Sequence, residues 1–242
     1  LVLRDPDAAA ALAATGWDGR LPTAPPGDFL MAVDSNVGYN KVNLLVERAL
    51  TYELALGPQP TATLNLLYSH TGQPQDEPCF QGVTQEFEQA MTYLALADKC
   101  YWNYLRVYAP GGSVLTASSS HTVPGETLLN GRTWDGAAQT VAEQPGLTTF
   151  ANFMLLPRAA ELSAMFEYQL PEGVTQVEDG ATVYRLTVFK QPGTRPELLT
   201  LLVALPPGAT LLDASLPTQM QDGRVVMSTT LETNLVITLR YR

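Results

Sequence analysis

From residue 28 onward, apolar and polar side chains mostly alternate with a period of two. Val46, Leu50, Tyr52, Leu54 and Leu56 share one side of the pattern, with Glu47, Thr51 and Glu53 on the other; Arg48 interrupts the apolar row. After Gly57 to Pro60, the residues Ala62, Leu64, Leu66 and Tyr68 alternate with Thr61, Thr63, Asn65 and Ser69. Two half-buried strands joined by a short Gly/Pro turn make a hairpin. A polar loop from Thr71 to Gln81 follows. Further strands are predicted over 29–33, 101–109, 150–156, 162–170, 182–190, 197–205, 224–228 and 234–241, and 116–126 reads as a polar loop.

Two stretches change period. Residues 5–14 read as a short helix, with Asp5 as cap, Pro6 in the first turn and Gly16 as stop. Residues 84–97 place Phe87, Met91, Leu94 and Ala95 on one helical face behind Thr84, a capping residue. Three strands end in related turns: Ala109-Pro110-Gly111-Gly112, Leu170-Pro171-Glu172-Gly173 and Leu205-Pro206-Pro207-Gly208. Proline cannot donate to a ladder, and glycine permits the positive φ of many tight turns. Their uneven spacing excludes a solenoid. The fold class expected is all-β: two β-sandwich-like, immunoglobulin-like units with one inserted helix and a short N-terminal helix. The expected divisions are residues 1–26 (helix and Pro-rich linker), 27–172 (larger sandwich with helix 84–97) and 173–242 (smaller sandwich). A single extended sandwich is the alternative.

Composition removes several function classes. The 242 residues carry 24 acidic and 14 basic side chains, a formal charge of −10, with no basic block. Nucleic acid is therefore not an expected partner, nor is an anionic membrane surface. Apolar residues make up 45% and charged ones 16%, which excludes a disordered tail. No apolar run reaches the length of a membrane span. The basic residues split eleven Arg to three Lys, a skew that fits nucleotide composition better than function. The chain starts at Leu1 without a signal peptide and reads as a fragment of a longer protein, with any anchor upstream.

Cys79 and Cys100 lie 21 positions apart. In an oxidising compartment they would close a loop of that size; the alternatives are two reduced thiols or one reactive thiol. With His70 and His121 the counts allow a Cys2His2 site, but neither pair is closely spaced and no zinc pattern matches.

Three strings carry a resemblance: Gly27-Asp28-Phe29-Leu30-Met31-Ala32-Val33-Asp34-Ser35-Asn36-Val37-Gly38-Tyr39-Asn40-Lys41, Tyr104-Leu105-Arg106-Val107-Tyr108-Ala109-Pro110-Gly111-Gly112-Ser113, and the stretch 150–171. Over roughly residues 27–171 the chain resembles the C-terminal half of an uncharacterised bacterial surface family, one of the domain-of-unknown-function families. Members have an N-terminal membrane anchor and an earlier domain that looks distantly like enzymes attaching glycopolymers to the cell wall. The resemblance implies an extracytoplasmic location and membrane contact only through that upstream anchor. No catalytic residue of those enzymes matches a motif here.

Several constellations could carry chemistry. Asp34, Asn36 and Asn40 present alternate oxygens that suit a hard cation such as calcium, or else an Asx-rich turn. Gly38 holds the third ligand position of an EF-hand loop, and Glu47 comes too late for its closing carboxylate. Ser118 to Ser120 precede His121, but no G-x-S-x-G elbow is present. Cys79 with His70 or His121 is the thiol-enzyme arrangement, in competition with the disulfide. Asp76/Glu77, Glu86/Glu88 and Glu178/Asp179 would serve glycosidic acid–base work only at the right separation across a cleft. Trp102, Tyr104 and Tyr108 share a strand face with Arg106; with Trp134 they form a ligand platform or a core. The leading expectation is a non-catalytic extracytoplasmic domain of a bacterial cell-surface protein, meeting a protein or glycan or supporting an upstream domain. The alternatives are a carbohydrate-binding module using Trp102 and Trp134, and a Ser- or Cys-dependent hydrolase. No resident cofactor is expected beyond that calcium.

Overall fold

The alternation of the hairpin becomes two sides of a sheet. In a computed structural model, which describes residues 3–15, 18–23, 25–74, 76–83 and 92–242, β2 (Val46–Ala55) and β3 (Thr61–His70) pair antiparallel from Val46↔His70 to Ala55↔Thr61. Leu50, Tyr52, Leu54, Leu64, Leu66 and Tyr68 point inward and are buried. The same phase governs β1 (Asp28–Asn36), where Leu30 and Ala32 enter the main core.

The protein is mostly β, with two sheets packed as a sandwich. After β1, β2 and β3 come β4 (Tyr101–Pro110), β5 (Val114–Ser118), β6 (Ser120–Val123), β7 (Trp134–Ala137), β8 (Gln139–Val141), β9 (Leu147–Leu156) and β10 (Glu161–Gln169). Beyond Gly173 follow β11 (Thr175–Glu178), β12 (Ala181–Phe189), β13 (Glu197–Ala204), β14 (Leu211–Ala214), β15 (Gln219–Gln221), β16 (Arg224–Leu231) and β17 (Leu235–Tyr241). Among the described residues, sheet A runs β14-β17-β12-β1-β4-β9-β8, with β11 on β12, and sheet B runs β15-β16-β13-β2-β3-β10-β5. The β6–β7 hairpin stands apart as a small third sheet.

The turn at Pro171–Gly173 does separate two strand sets, yet both sheets run across them. Strand β12 pairs parallel with β1, and β13 pairs parallel with β2. One buried cluster takes Leu64 and Phe166 from one set and Leu201 and Ile237 from the other. The two sets therefore sit side by side and share both sheets, joined by two parallel pairs that form a seam. A core-facing strand edge left unpaired would expose a row of backbone donors and acceptors, and the seam covers two such edges.

The polar stretch 116–126 is not a loop: it contains parts of β5 and all of β6. These edge strands are half exposed, so their sequence shows little apolar alternation, and pairing with β10 and β7 fixes them instead. Helix α1 (Pro6–Ala14) is capped by Asp5, which accepts from the amides of Asp7 and Ala8, and buries no side chain. In the inserted region, helix α2 spans Tyr93–Ala97. Residues 84–91, with Thr84, Phe87, Met91 and the Glu86/Glu88 pair, lie outside the described residues, as does Gly16. The Pro-x-Gly turns all place their last glycine at positive φ (Gly112, Gly173 and Gly208), and in two of them the next amide closes the turn, Ser113 donating to the Pro110 carbonyl at 3.1 Å and Ala209 to the Pro206 carbonyl at 3.0 Å.

Candidate functional site

One end of the sandwich gathers the ends of β1, β3 and β12 and the starts of β2, β4 and β13, and two features lie there. The first is a cleft of about 680 Å³. Its floor is a buried charge network that bridges the sheets. Arg48, inward on β2, donates from Nη1 to Asp34 of β1 at 2.8 Å. It also donates from Nε and Nη2 to Glu197 at the start of β13, at 2.6 and 2.9 Å. The Tyr68 hydroxyl and the Asn103 amide each donate to the other Asp34 oxygen at 2.7 Å. Gln191 accepts from the Asp34 amide and donates to its carbonyl. Burial opposes the charge on Arg48, but Asp34 and Glu197 outweigh it and hold its pKa above the usual value. Burial and Asp34 push the Tyr68 hydroxyl up.

The cleft wall is the loop 190–196. Lys190 folds it by donating to the Thr194 carbonyl at 2.6 Å and the Thr194 hydroxyl at 2.9 Å, and burial lowers the pKa of that lysine. Leu198, Ala49 and Leu67 form one cross-strand row on the rim, with Leu198 and Leu67 exposed.

The second feature is a cluster of three loops. Gln81 accepts at its carbonyl from the Tyr39 amide and donates its own amide to the Thr127 carbonyl. Its side chain donates to the Val37 carbonyl and accepts from the Leu129 amide. Val37, Tyr39, Phe80 and Leu129 stand out from these loops with 44, 60, 40 and 70% exposure. Beneath them Cys79 and Cys100 form the disulfide. Glu77 reinforces it: Lys99 donates to its carboxylate at 2.8 Å and Arg158 at 3.3 Å, which holds the Glu77 carboxyl below its usual range.

The structure distributes the predicted residues differently from the sequence reading. Asn36 and Asn40 do meet, the Asn36 amide donating to Asn40 Oδ1 at 2.7 Å, and Asn36 accepts from the Gly38 amide. Asp34 does not join them; its oxygens are taken by Arg48, Tyr68 and Asn103. The three residues thus make an Asx-turn network beside an ion pair. Trp102 is 1% exposed under the β6–β7 hairpin, packed with Cys100, Val123 and Leu128, and its buried indole N–H has no hydrogen-bond acceptor among the described residues. Tyr108 is buried with Phe29, Met31 and Leu147. Tyr104 is half-buried beside Arg106, whose guanidinium lies 5.9 Å from its ring centre. Trp134 packs edge-on against Phe153. The outer face of this part of sheet A is covered, so Trp102 and Tyr108 are core residues rather than a platform.

His70 has both ring nitrogens on backbone, Nδ1 accepting from the Gly72 amide and Nε2 facing the Lys99 carbonyl at 2.9 Å. His121 meets Ser119, not Ser118, with Nε2 3.1 Å from the hydroxyl. Burial lowers the His121 pKa and so favours the neutral ring, whose tautomer sets which of the two atoms donates. The same hydroxyl accepts from the Met165 amide, and the Ser119 carbonyl accepts from Asn152 across the sandwich edge. Ser118 accepts from the Ala138 amide. Of the carboxylate pairs, Glu178 faces Arg185 at 3.6 Å and Asp179 sits at φ +49° in the β11–β12 turn. Sequence reasoning missed the Arg48 network and the Gln81 hub. The network did leave a signal: Asp34 and Arg48 occupy inward positions of apolar strands.

No protein-family model and no curated protein matches the chain. Among solved structures it is similar to a candidate nutrient-binding protein from Legionella pneumophila, with 8% identity, a TM-score of 0.45, and coverage of 88% of this chain and 72% of that one. It is also similar to an M1 zinc metallopeptidase from Deinococcus radiodurans, with 13% identity, a TM-score of 0.36, and coverage of 81% and 42%. At these scores the likeness carries no functional argument.

Proposed function

We propose that the chain is a non-catalytic, extracytoplasmic interaction domain of a bacterial surface protein, touching a membrane only through an anchor elsewhere in its parent. The observation that carries this reading is the disulfide-backed loop cluster. Four large apolar side chains held in solvent on loops that Gln81 has already ordered lose little entropy when a partner covers them. The disulfide supports the compartment, because such bonds persist in oxidising environments. The reading as non-catalytic is supported by how the reactive groups are used. Cys79 is bonded, both His70 nitrogens face backbone, and the Ser119 hydroxyl already serves the Met165 amide.

A glycan reading finds support in the exposed rings of Tyr39 and Phe80, which suit sugar stacking where Trp102 does not. Binding of the labelled domain to envelope preparations, before and after glycan removal, tests both. The variant carrying Tyr39→Ser, Phe80→Ser and Leu129→Ser should keep its melting temperature and lose binding. Binding that survives all three changes overturns the assignment to this loop cluster. Binding that disappears with the glycan favours the sugar reading.

A further inference from the structure

The other end of β1 holds a second buried acid with different company. Asp28 is completely buried. Its Oδ2 accepts from the Tyr184 hydroxyl at 2.5 Å and the Tyr52 hydroxyl at 2.9 Å, and its Oδ1 from the Phe29 amide at 2.7 Å. Tyr168 in turn donates to the Tyr52 oxygen at 3.1 Å. The titratable groups that face the carboxyl are therefore Tyr184 from β12, Tyr52 from β2 and Tyr168 from β10. All three are hydroxyls, whereas Asp34 on the same strand has a guanidinium.

Asp28 also opens the seam. It is the first residue of the parallel pairing, opposite Leu186, and Tyr184 lies two residues before that partner. The cluster thus ties β12, from the strand set after Gly173, to β1, β2 and β10 from the set before it.

We propose that Asp28 is a proton-controlled joint: uptake or loss of its proton sets how firmly the two strand sets are held together along the β1–β12 seam. The hydroxyl chain accommodates both states. In the ionised state Tyr184 and Tyr52 donate to Oδ2. In the neutral state Oδ2 carries the proton and donates it to the Tyr52 oxygen, Tyr52 turns its own proton to the Tyr168 oxygen, and Tyr168 rotates its proton away, giving up the bond it donates to Tyr52 in the ionised state. The incoming proton comes from solvent, and because the carboxyl is completely buried the seam must open for it to arrive.

Burial raises the carboxyl's pKa from 3.8 to about 6, against the lowering effect of Tyr184, Tyr52 and the Phe29 amide. The folded state therefore holds a proton that the unfolded chain has already lost between about pH 4 and 6. That stabilisation is complete below the unfolded value and disappears as pH rises through the folded one. The seam is tighter in mild acid and looser at neutrality.

Hydrogen exchange at pH 5 and pH 7.5, expressed as protection factors, tests the joint on the intact chain. Seam amides of β1 and β12 should lose protection by about tenfold or more between the two conditions. Asp28→Asn should remove that difference. Tyr184→Phe deletes one donor to the carboxylate and should move the Asp28 midpoint, read from its side-chain carbon resonance, to higher pH. A carboxyl midpoint near 4, or seam protection that does not change with pH in the wild-type chain, overturns the proposal.

Discussion

Arg48 and Asp34 come from opposite sheets and meet 2.8 Å apart inside the sandwich, each with less than one-eighth of its side chain exposed. Glu197 closes the group from the far side of the seam. A buried pair of this kind is weak evidence of net stability, because desolvation cancels most of the attraction. Removing one partner, however, leaves bare charge behind. Arg48→Met is expected to cost about 3–5 kcal/mol in urea denaturation. Adding Glu197→Gln should recover part of that loss by lifting one of the two stranded carboxylates. A neutral Arg48→Met variant would show the network to be dispensable.

The disulfide should contribute about 3 kcal/mol through the loop it closes. Thiol titration of unreduced protein should find no free thiol. Cys79→Ser with Cys100→Ser should lower the denaturation midpoint, while the Glu77–Lys99–Arg158 contacts keep segment 77–80 near segment 98–100. Two reactive thiols in freshly purified, unreduced protein would refute the bond.

Gln81→Ala removes the side-chain bonds to Val37 and Leu129. The expected cost is about 1–2 kcal/mol, near the net value of two hydrogen bonds. Exchange or limited proteolysis should locate the effect in residues 37–41 and 127–131 rather than in the sheets. A uniform effect across the sandwich would contradict a local hub.

Gly27 precedes the seam at φ +78°, and a Cβ there would lie 2.5 Å from the Arg185 carbonyl oxygen. Gly27→Ala should destabilise by roughly 1–3 kcal/mol from backbone strain alone, with the clash adding to it. Gly19→Ala is the control. It has φ +71° and nothing within 4 Å, so only the strain remains. Equal melting temperatures for the two variants would argue against close approach at the seam.

The clearest alternation in the sequence belongs to strands buried on one face, while β1, β4 and β9, covered on both faces over much of their length, show as apolar runs. The β2–β3 hairpin, β10 and β17 all show their alternation because one side faces the core and the other does not. Strands β5 to β8 escape notice because they are short and mostly exposed, and pairing holds them in place. Trp102 misleads because β4 is covered on both faces, so its aromatic row resembles a binding face. Arg48 was visible as an interruption in an apolar row. Sequence could not supply its partners, since Glu197 lies 149 positions away and arrives only through the parallel pairing of β13 with β2.

That pairing has a consequence for synthesis. The ribosome releases β1 and β2 long before β12 and β13, which complete them. Until β12 and β13 emerge, the nascent chain carries two strand edges with open hydrogen-bonding groups next to a half-built core. Such edges are templates for pairing with another chain. A chain stopped at residue 172 would keep both edges open for good. It should self-associate, whereas the 242-residue chain carries its own edge covers within the same polypeptide.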